Sequence, residues 1–234
     1  LASAFLAINF SFKPDFGQVE VDPADINISY YETYLNEKNR ILMSLRNELR
    51  KETKVEHEAL HEHALLKPLL SSELSLNNYI LVLKAFYEFY TQTEGEFRGC
   101  TFGFSAESPV LVWLEKEKSL WGFRENKLLV RSNIFDTACF SEYVGYLYFK
   151  QGSTLGGRLI SKSLEKSLGI KGGENGFFYH GYGDETGSNW KAFEGFMEEN
   201  EKKVDSLKVI GSAKACFNAL HEYFNEYQNL TPKD

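Results

Sequence analysis

Hydrophobic residues recur every three or four positions along most of the chain, the spacing of amphipathic α-helices. The pattern predicts helices over residues 34–66, 77–97, 110–121, 133–167, 189–203 and 204–227. Pro68 should end the first helix and Ser75 should cap the second. The last helix carries an apolar stripe made of Ile210, Ala213, Phe217, Leu220 and Phe224. Because alternating runs typical of strands are absent beyond a few residues, we predict an all-α fold.

The 234 residues suit one large domain better than two. Residues 1–33 contain Pro14 and Pro23 and read as an irregular N-terminal extension before a helical domain over 34–230. The apolar start LASAFLAINFSF lacks the basic residues of a targeting segment. No run approaches the roughly 18 apolar residues that span a bilayer, so no membrane insertion is expected.

Charge and cysteine content narrow the function classes. A net charge of -7 argues against nucleic-acid binding, which depends on Lys and Arg neutralising phosphates. Cys100, Cys139 and Cys216 are widely spaced and odd in number, which indicates neither a disulfide framework nor a zinc site. A reducing, cytoplasmic location is the simplest expectation.

A long apolar segment, GYLYFKQGSTLGGRLI over residues 145–160, contains four glycines. Each glycine costs about 1 kcal/mol relative to alanine inside a helix. Gly145, Gly152 and Gly156 share one helical face, and the cluster from Gly152 to Gly157 also permits a kink. On spacing alone, close packing of a second helix is the favoured interpretation. The alternative is a flat ligand lying across the bare backbone. The pattern does not favour a phosphate-binding loop, because the segment lacks a Gly-Lys-Ser/Thr ending and no strand precedes it.

Candidate metal ligands come from five histidines: His57, His61, His63, His180 and His221. His57 and His61 are four residues apart, a helical spacing that can hold a metal. A di-metal carboxylate site would need two Glu-x-x-His motifs, and only Glu58–His61 provides one. A single imidazole with an open opposite position suits oxygen chemistry at haem. The competing interpretation is that His57 lies on a solvated polar helix and has no functional role.

Three segments together resemble the haem oxygenase family over about residues 42–228. LRKETKVEH (49–57) is similar to the proximal helix of these enzymes, and GSTLGG (152–157) is similar to their distal helix. The separation of about 95 residues also suits the family. A third segment, FFYHGYG (177–183) followed by Gly187, Trp190 and Phe193, resembles the bacterial branch associated with bacteriophytochromes.

The resemblance implies a haem-oxygenase-like, multi-helix single domain that holds haem between the proximal and distal helices. Haem would be both substrate and cofactor. His57 would be the axial iron ligand, and Arg50, two turns earlier, would pair with a haem propionate. Gly157 and Lys191 are further expected haem-binding residues.

The same resemblance implies the reaction. Haem would be degraded to biliverdin, CO and Fe²⁺ by O₂ and external electrons. The expected catalytic residues are Gly152, Ser153 and Gly156, whose bare backbone and hydroxyl line the distal side. A ferredoxin or flavoprotein reductase would donate the electrons, because the chain has no flavin or nicotinamide fingerprint. A bacteriophytochrome is the candidate recipient of biliverdin.

One residue departs from the common family pattern. Many members carry an aspartate directly after the first distal glycine, and here that residue is Ser153. Serine forms hydrogen bonds but supplies no charge for proton delivery. Ser153 therefore keeps open a catalytically weak haem- or bilin-binding protein of the same fold. A separate alternative is a fold relative acting on another substrate, such as a thiaminase-like or di-metal oxidase protein.

Overall fold

The computed structural model describes residues 44–100, 102–104, 107–124 and 132–229. The N-terminal extension and the beginning of the first predicted helix lie outside these ranges. The described residues form seven α-helices: α1 Leu45–Glu52, α2 Lys54–His61, α3 Leu76–Glu96, α4 Val110–Trp121, α5 Phe140–Leu168, α6 Thr186–Asn200 and α7 Ser206–Asn229. Within the same ranges there is no β-strand, only an isolated bridge between Gly172 and Gly176. The all-α prediction is confirmed.

The first predicted helix is shorter and less regular than expected. Thr53 separates α1 from α2, and its hydroxyl bonds back to the Leu49 carbonyl at 2.7 Å. Such back-bonding bends a helix without ending it, and His57 N–H still donates to the Thr53 carbonyl at 3.0 Å. The prediction that the helix continues to residue 66 was wrong. It ends at His61, after which the His63 ring accepts a hydrogen bond from the Leu65 N–H.

The predicted boundaries of α3 and α4 agree with the structure to within one residue. Ser75 caps α3 as expected, since its hydroxyl accepts the Asn78 N–H at 3.1 Å. The helix predicted over 189–203 begins earlier, at Thr186, and its last three residues form a 3₁₀ turn, Glu201–Lys203. The five stripe residues predicted for α7 are all buried.

The glycine-rich helix α5 differs most from its prediction. It runs unbroken for 29 residues, although the sequence suggested interruption by glycines. It begins at Phe140 instead of near residue 133, because Ala138 takes a left-handed conformation (φ 47°) that helices exclude. Glu142 then caps the new start by accepting the N–H groups of Cys139 and Thr137.

Helix α5 lies at the centre of the molecule, packed against α7. A Cβ atom at Gly145 would be 2.2 Å from the Val209 carbonyl oxygen of α7, so the two backbones touch here. The Ser212 hydroxyl also donates to the Glu142 carbonyl at 2.6 Å. Helices α2 and α3 flank α7, and the buried rings of α3 complete the core. None of the described helices has the length and apolarity to cross a membrane.

Candidate functional site

His57 lies on α2 with its ring packed edge-on against Phe217 of α7, at a centroid distance of 5.7 Å. Its Nε2 atom is 3.0 Å from Nε2 of His61. Burial, together with the neighbouring His61, lowers the pKa of His57 from 6.5 to about 4. The imidazole is therefore neutral near pH 7, which is the form that binds a metal ion.

An aromatic pathway joins this histidine to the glycine-rich helix. Phe217 contacts Phe149 of α5 at 4.8 Å, and Phe149 contacts Phe89 of α3 at 5.2 Å. Phe149 is one helical turn before Gly152. His57 therefore lies at the α2 end of this series of ring contacts, and Gly152 lies one turn from Phe149 at its α5 end.

The glycines of α5 divide between the two interpretations that the sequence left open. Gly145 packs against α7, and a Cβ at Gly157 would be 2.8 Å from the Tyr179 carbonyl oxygen. A Cβ at Gly152, in contrast, would meet no heavy atom within 4 Å. Gly156 is half-buried. Close backbone packing therefore explains Gly145 and Gly157, and Gly152 is left as a bare position beside open space.

Ser153, directly after this glycine, belongs to a pair of hydroxyl groups. Its Oγ donates to the Lys150 carbonyl at 2.8 Å and lies 3.2 Å from the Tyr90 hydroxyl. With the serine proton committed to the carbonyl, Tyr90 is the donor in the pair. Burial raises the pKa of Tyr90 well above its usual value, so the phenol keeps its proton. Tyr90 was not singled out in the sequence, because its contact with Ser153 joins two separate helices.

A buried ionic cluster lies behind the hydroxyl pair. The Lys150 ammonium, 3% exposed, bonds Glu94 and Glu107 at 2.5 Å each. Tyr146 donates to Glu94 and Tyr143 donates to Glu107, both at 2.6 Å. The sequence contains one signal of this cluster, since Lys150 comes directly after the apolar run YVGYLYF on a helix that is otherwise largely buried there.

Basic residues collect where α1 meets α5 and α6. Arg50 is exposed and lies close enough to Tyr148 of α5 to affect its ionisation: burial raises the pKa of Tyr148, and a hydrogen bond with Thr53 and the charge of Arg50 partly offset this effect. Trp190 of α6 faces the same tyrosine at 6.4 Å, and the adjacent Lys191 is exposed.

The third resembling segment, residues 177–183, is anchored by a buried carboxylate. Glu117 of α4 accepts the N–H groups of Phe177 and Phe178 at 2.6 and 3.0 Å. Tyr79 and Trp121 also donate to it. These bonds fix the segment on α4, and its Tyr179 carbonyl oxygen approaches Gly157 of α5.

Comparisons with known proteins show a similar fold in two solved structures and a family-model match over part of the chain. The structure is similar to that of haem oxygenase from Leptospira interrogans, with a TM-score of 0.62 at 18% identity, covering 79% of this chain and 100% of the other. It is also similar to haem oxygenase-1 of the cyanobacterium Synechocystis sp. PCC6803, solved in complex with haem, with a TM-score of 0.59 at 18% identity, covering 80% and 93%.

The family model described as heme oxygenase matches residues 43–121, which include His57 but not the glycines of α5. No curated protein sequence matches the chain. The structural similarity shows a haem-oxygenase-like fold, and the match over residues 43–121 agrees with the resemblance to haem oxygenases found in the sequence.

Proposed function

We propose that the protein is a haem oxygenase that binds haem between α2 and α5 and degrades it to biliverdin, CO and Fe²⁺. The observation that carries this proposal is the pairing of a neutral His57 with a bare Gly152 around one group of buried rings. An apolar ligand with a central metal needs that combination of one imidazole, aromatic walls and a backbone without side chains.

The residues of the site fit haem. His57 would hold the iron, and Phe217 and Phe149 would contact the porphyrin. Arg50 and Lys191, both exposed near the α1–α6 contact, are suited to propionates at the pocket edge. Gly157 stays a prediction as a haem contact, since the Tyr179 carbonyl oxygen lies 2.8 Å from the position that a Cβ atom would take there.

Haem, when bound, supplies the redox chemistry, and this chain supplies position and protons. The backbone at Gly152, beside open space, and in the same proposal that at Gly156, would leave room on the distal side for a small ligand of the haem. The Tyr90 hydroxyl keeps its proton and donates toward Ser153, so the remaining serine lone pair orients a water molecule.

Electrons come from an external ferredoxin or flavoprotein reductase. Transfer of biliverdin to a bacteriophytochrome and a cytoplasmic location both stay predictions.

The second candidate is a haem- or bilin-binding protein with weak turnover. It is favoured by Ser153, which brings no carboxylate to the distal side. The carboxylate of Glu94, one turn after Tyr90 on α3, is already bound to Lys150 and Tyr146. If hydroxyl groups alone are too weak as proton donors, haem would bind without being degraded.

Haem binding is tested by titrating hemin into wild-type protein and His57→Ala and following the Soret band. We expect loss of the axial-ligand spectrum in His57→Ala and its return when imidazole is added. His61→Ala is the matched control on the same helix and should keep the wild-type spectrum. If His61→Ala loses the axial-ligand spectrum while His57→Ala keeps it, the axial ligand is His61 and the assignment to His57 is wrong.

Turnover is tested separately by single-turnover spectra of the haem complex with ascorbate or a reductase. Biliverdin formation supports the oxygenase. A stable haem complex that never yields biliverdin would overturn the proposal in favour of the binding protein. Absence of any Soret change on mixing with hemin would exclude both candidates.

A further inference from the structure

His57 and His61 are hydrogen-bonded to each other on α2, with their Nε2 atoms 3.0 Å apart and their ring centroids 4.3 Å apart. A metal ion bound by both Nε2 atoms would replace this hydrogen bond, and the proton of the donor ring would move to its Nδ1 atom. Both rings are partly buried. Two histidines four residues apart on one face of a helix, as in the His-Glu-x-x-His motif, can bind a divalent metal ion. The haem proposal uses only one of them.

The spacing of the two nitrogen atoms selects a coordination geometry. Imidazole nitrogen lies about 2.0–2.1 Å from a first-row metal ion. A separation of 3.0 Å then gives a nitrogen–metal–nitrogen angle of about 91–97°. This is the angle between neighbouring ligands in octahedral or tetragonal coordination, and it is smaller than the tetrahedral angle. Cu²⁺ and Ni²⁺ prefer such geometry, and Cu²⁺ binds nitrogen ligands most strongly of the divalent series.

The surrounding carboxylates already have partners. Glu58 pairs with Lys54 at 3.7 Å, and Glu62 pairs with Lys67 at 2.7 Å. Across the described ranges, no group of three or more His, Cys, Asp or Glu side chains is placed to hold a metal ion. Among the described residues, the two imidazoles are therefore the side chains that would hold an ion at this pair.

We propose that, before haem binds, His57 and His61 form a two-histidine chelate for Cu²⁺ or Ni²⁺, and that the bound ion blocks haem from the same His57 nitrogen. Metal binding itself does not depend on the proposed function, whereas the competition with haem does. The consequence is that haem loading is sensitive to free divalent metal ions through His61, a residue that the haem complex does not require.

The first experiment titrates the haem-free full chain with Ni²⁺ by calorimetry and with Cu²⁺ by electron paramagnetic resonance. We expect a 1:1 site whose Cu²⁺ spectrum shows hyperfine coupling to two nitrogen atoms. His61→Ala should weaken binding at least ~10-fold, the effect of losing a ~1.4 kcal/mol interaction, and should reduce the coupling to one nitrogen. His61→Gln, which keeps the side-chain length, guards against a folding defect and should behave in the same way.

The matched control is His221→Ala, which removes a half-exposed histidine from the other histidine pair, His63–His221, whose ring centroids are 5.0 Å apart. It should leave metal binding unchanged. Unchanged Ni²⁺ affinity in both His61 variants, or equal loss in His221→Ala, would overturn the chelate.

The second experiment repeats the hemin titration with Ni²⁺ present. The apparent haem affinity should fall for wild-type protein and stay constant for His61→Ala. An equal fall in both proteins would refute the competition. If hemin binds to neither protein while Ni²⁺ binding still depends on both histidines, the proposed function fails and the chelate stands.

Discussion

Alanine substitutions at Gly145 and Gly152 should have opposite effects, although both glycines lie on one face of α5. At Gly145 the new methyl would lie 2.2 Å from the Val209 carbonyl oxygen, whereas a carbon–oxygen contact needs about 3.3 Å. The helices α5 and α7 would have to separate by about 1 Å and lose dispersion contacts along their interface. At Gly152 the methyl meets open space.

The magnitudes follow from these distances. Gly152→Ala gains the helix propensity of alanine, about 1 kcal/mol, which raises Tm by roughly 2–4 °C for a chain of this size. Gly145→Ala has the same gain, but overpacking typically costs about 1–3 kcal/mol and more when backbones collide. We expect a net loss of about 2 kcal/mol and a fall in Tm of roughly 4–8 °C.

The assay measures the Tm of the haem-free protein beside hemin affinity and single-turnover biliverdin yield. Gly152→Ala should melt higher than wild type but bind or degrade haem less well, because its methyl enters the distal side. Gly211→Ala is the control, since Gly211 is an exposed helical glycine of α7 with nothing within 4 Å of its Cβ position. It should melt higher with normal haem chemistry. A lower Tm for Gly152→Ala together with full biliverdin yield would refute the haem-facing role of Gly152.

Three further substitutions test the N-terminal cap of α5, the ionic cluster around Lys150 and the proposed propionate contact of Arg50. Glu142→Gln should lose about 1–3 kcal/mol of unfolding free energy at pH 7, measured in urea. Burial raises the pKa of Glu142, but hydrogen bonds from Cys139 and its neighbours outweigh this and lower it, so its stabilisation is present above pH 4.5 and is lost as the pH falls through the folded-state pKa. The difference in unfolding free energy between Glu142→Gln and wild type should therefore shrink as the pH falls. A difference that does not change with pH would contradict the capping role of Glu142 at the start of α5. Lys150→Met should cost about 3 kcal/mol, because it leaves two partly buried carboxylates without their cation; an unchanged urea midpoint would show that the cluster is energetically neutral. Arg50→Ala should weaken hemin binding by no more than about 1 kcal/mol and alter the biliverdin isomer distribution, with exposed Lys51→Ala as control; identical isomers and affinity in both variants would leave Arg50 without a role.

Part of the fold could be predicted because the controlling interactions are local. The capping hydroxyl of Ser75 and the apolar stripe of α7 lie within a few residues of the helical hydrogen bonds they support. The same holds for the candidate iron ligand, since His57 and the motif around it lie on one helix. Boundaries failed where a local conformation overrode the pattern, as at Ala138, or where a side chain replaced the helical bond, as at His63.

The sequence by itself determined the helices, the family resemblance and a short set of candidate residues. Only the tertiary structure decided what each glycine of α5 faces, because a glycine has no side chain whose size or polarity would indicate its neighbour. A Cβ at Gly145 would meet the Val209 carbonyl oxygen, whereas a Cβ at Gly152 would meet open space. It also decided the pairing of Tyr90 with Ser153, two residues 63 positions apart on different helices. Contacts of this kind depend on how helices are placed against one another, and that placement depends on the packing of the whole core.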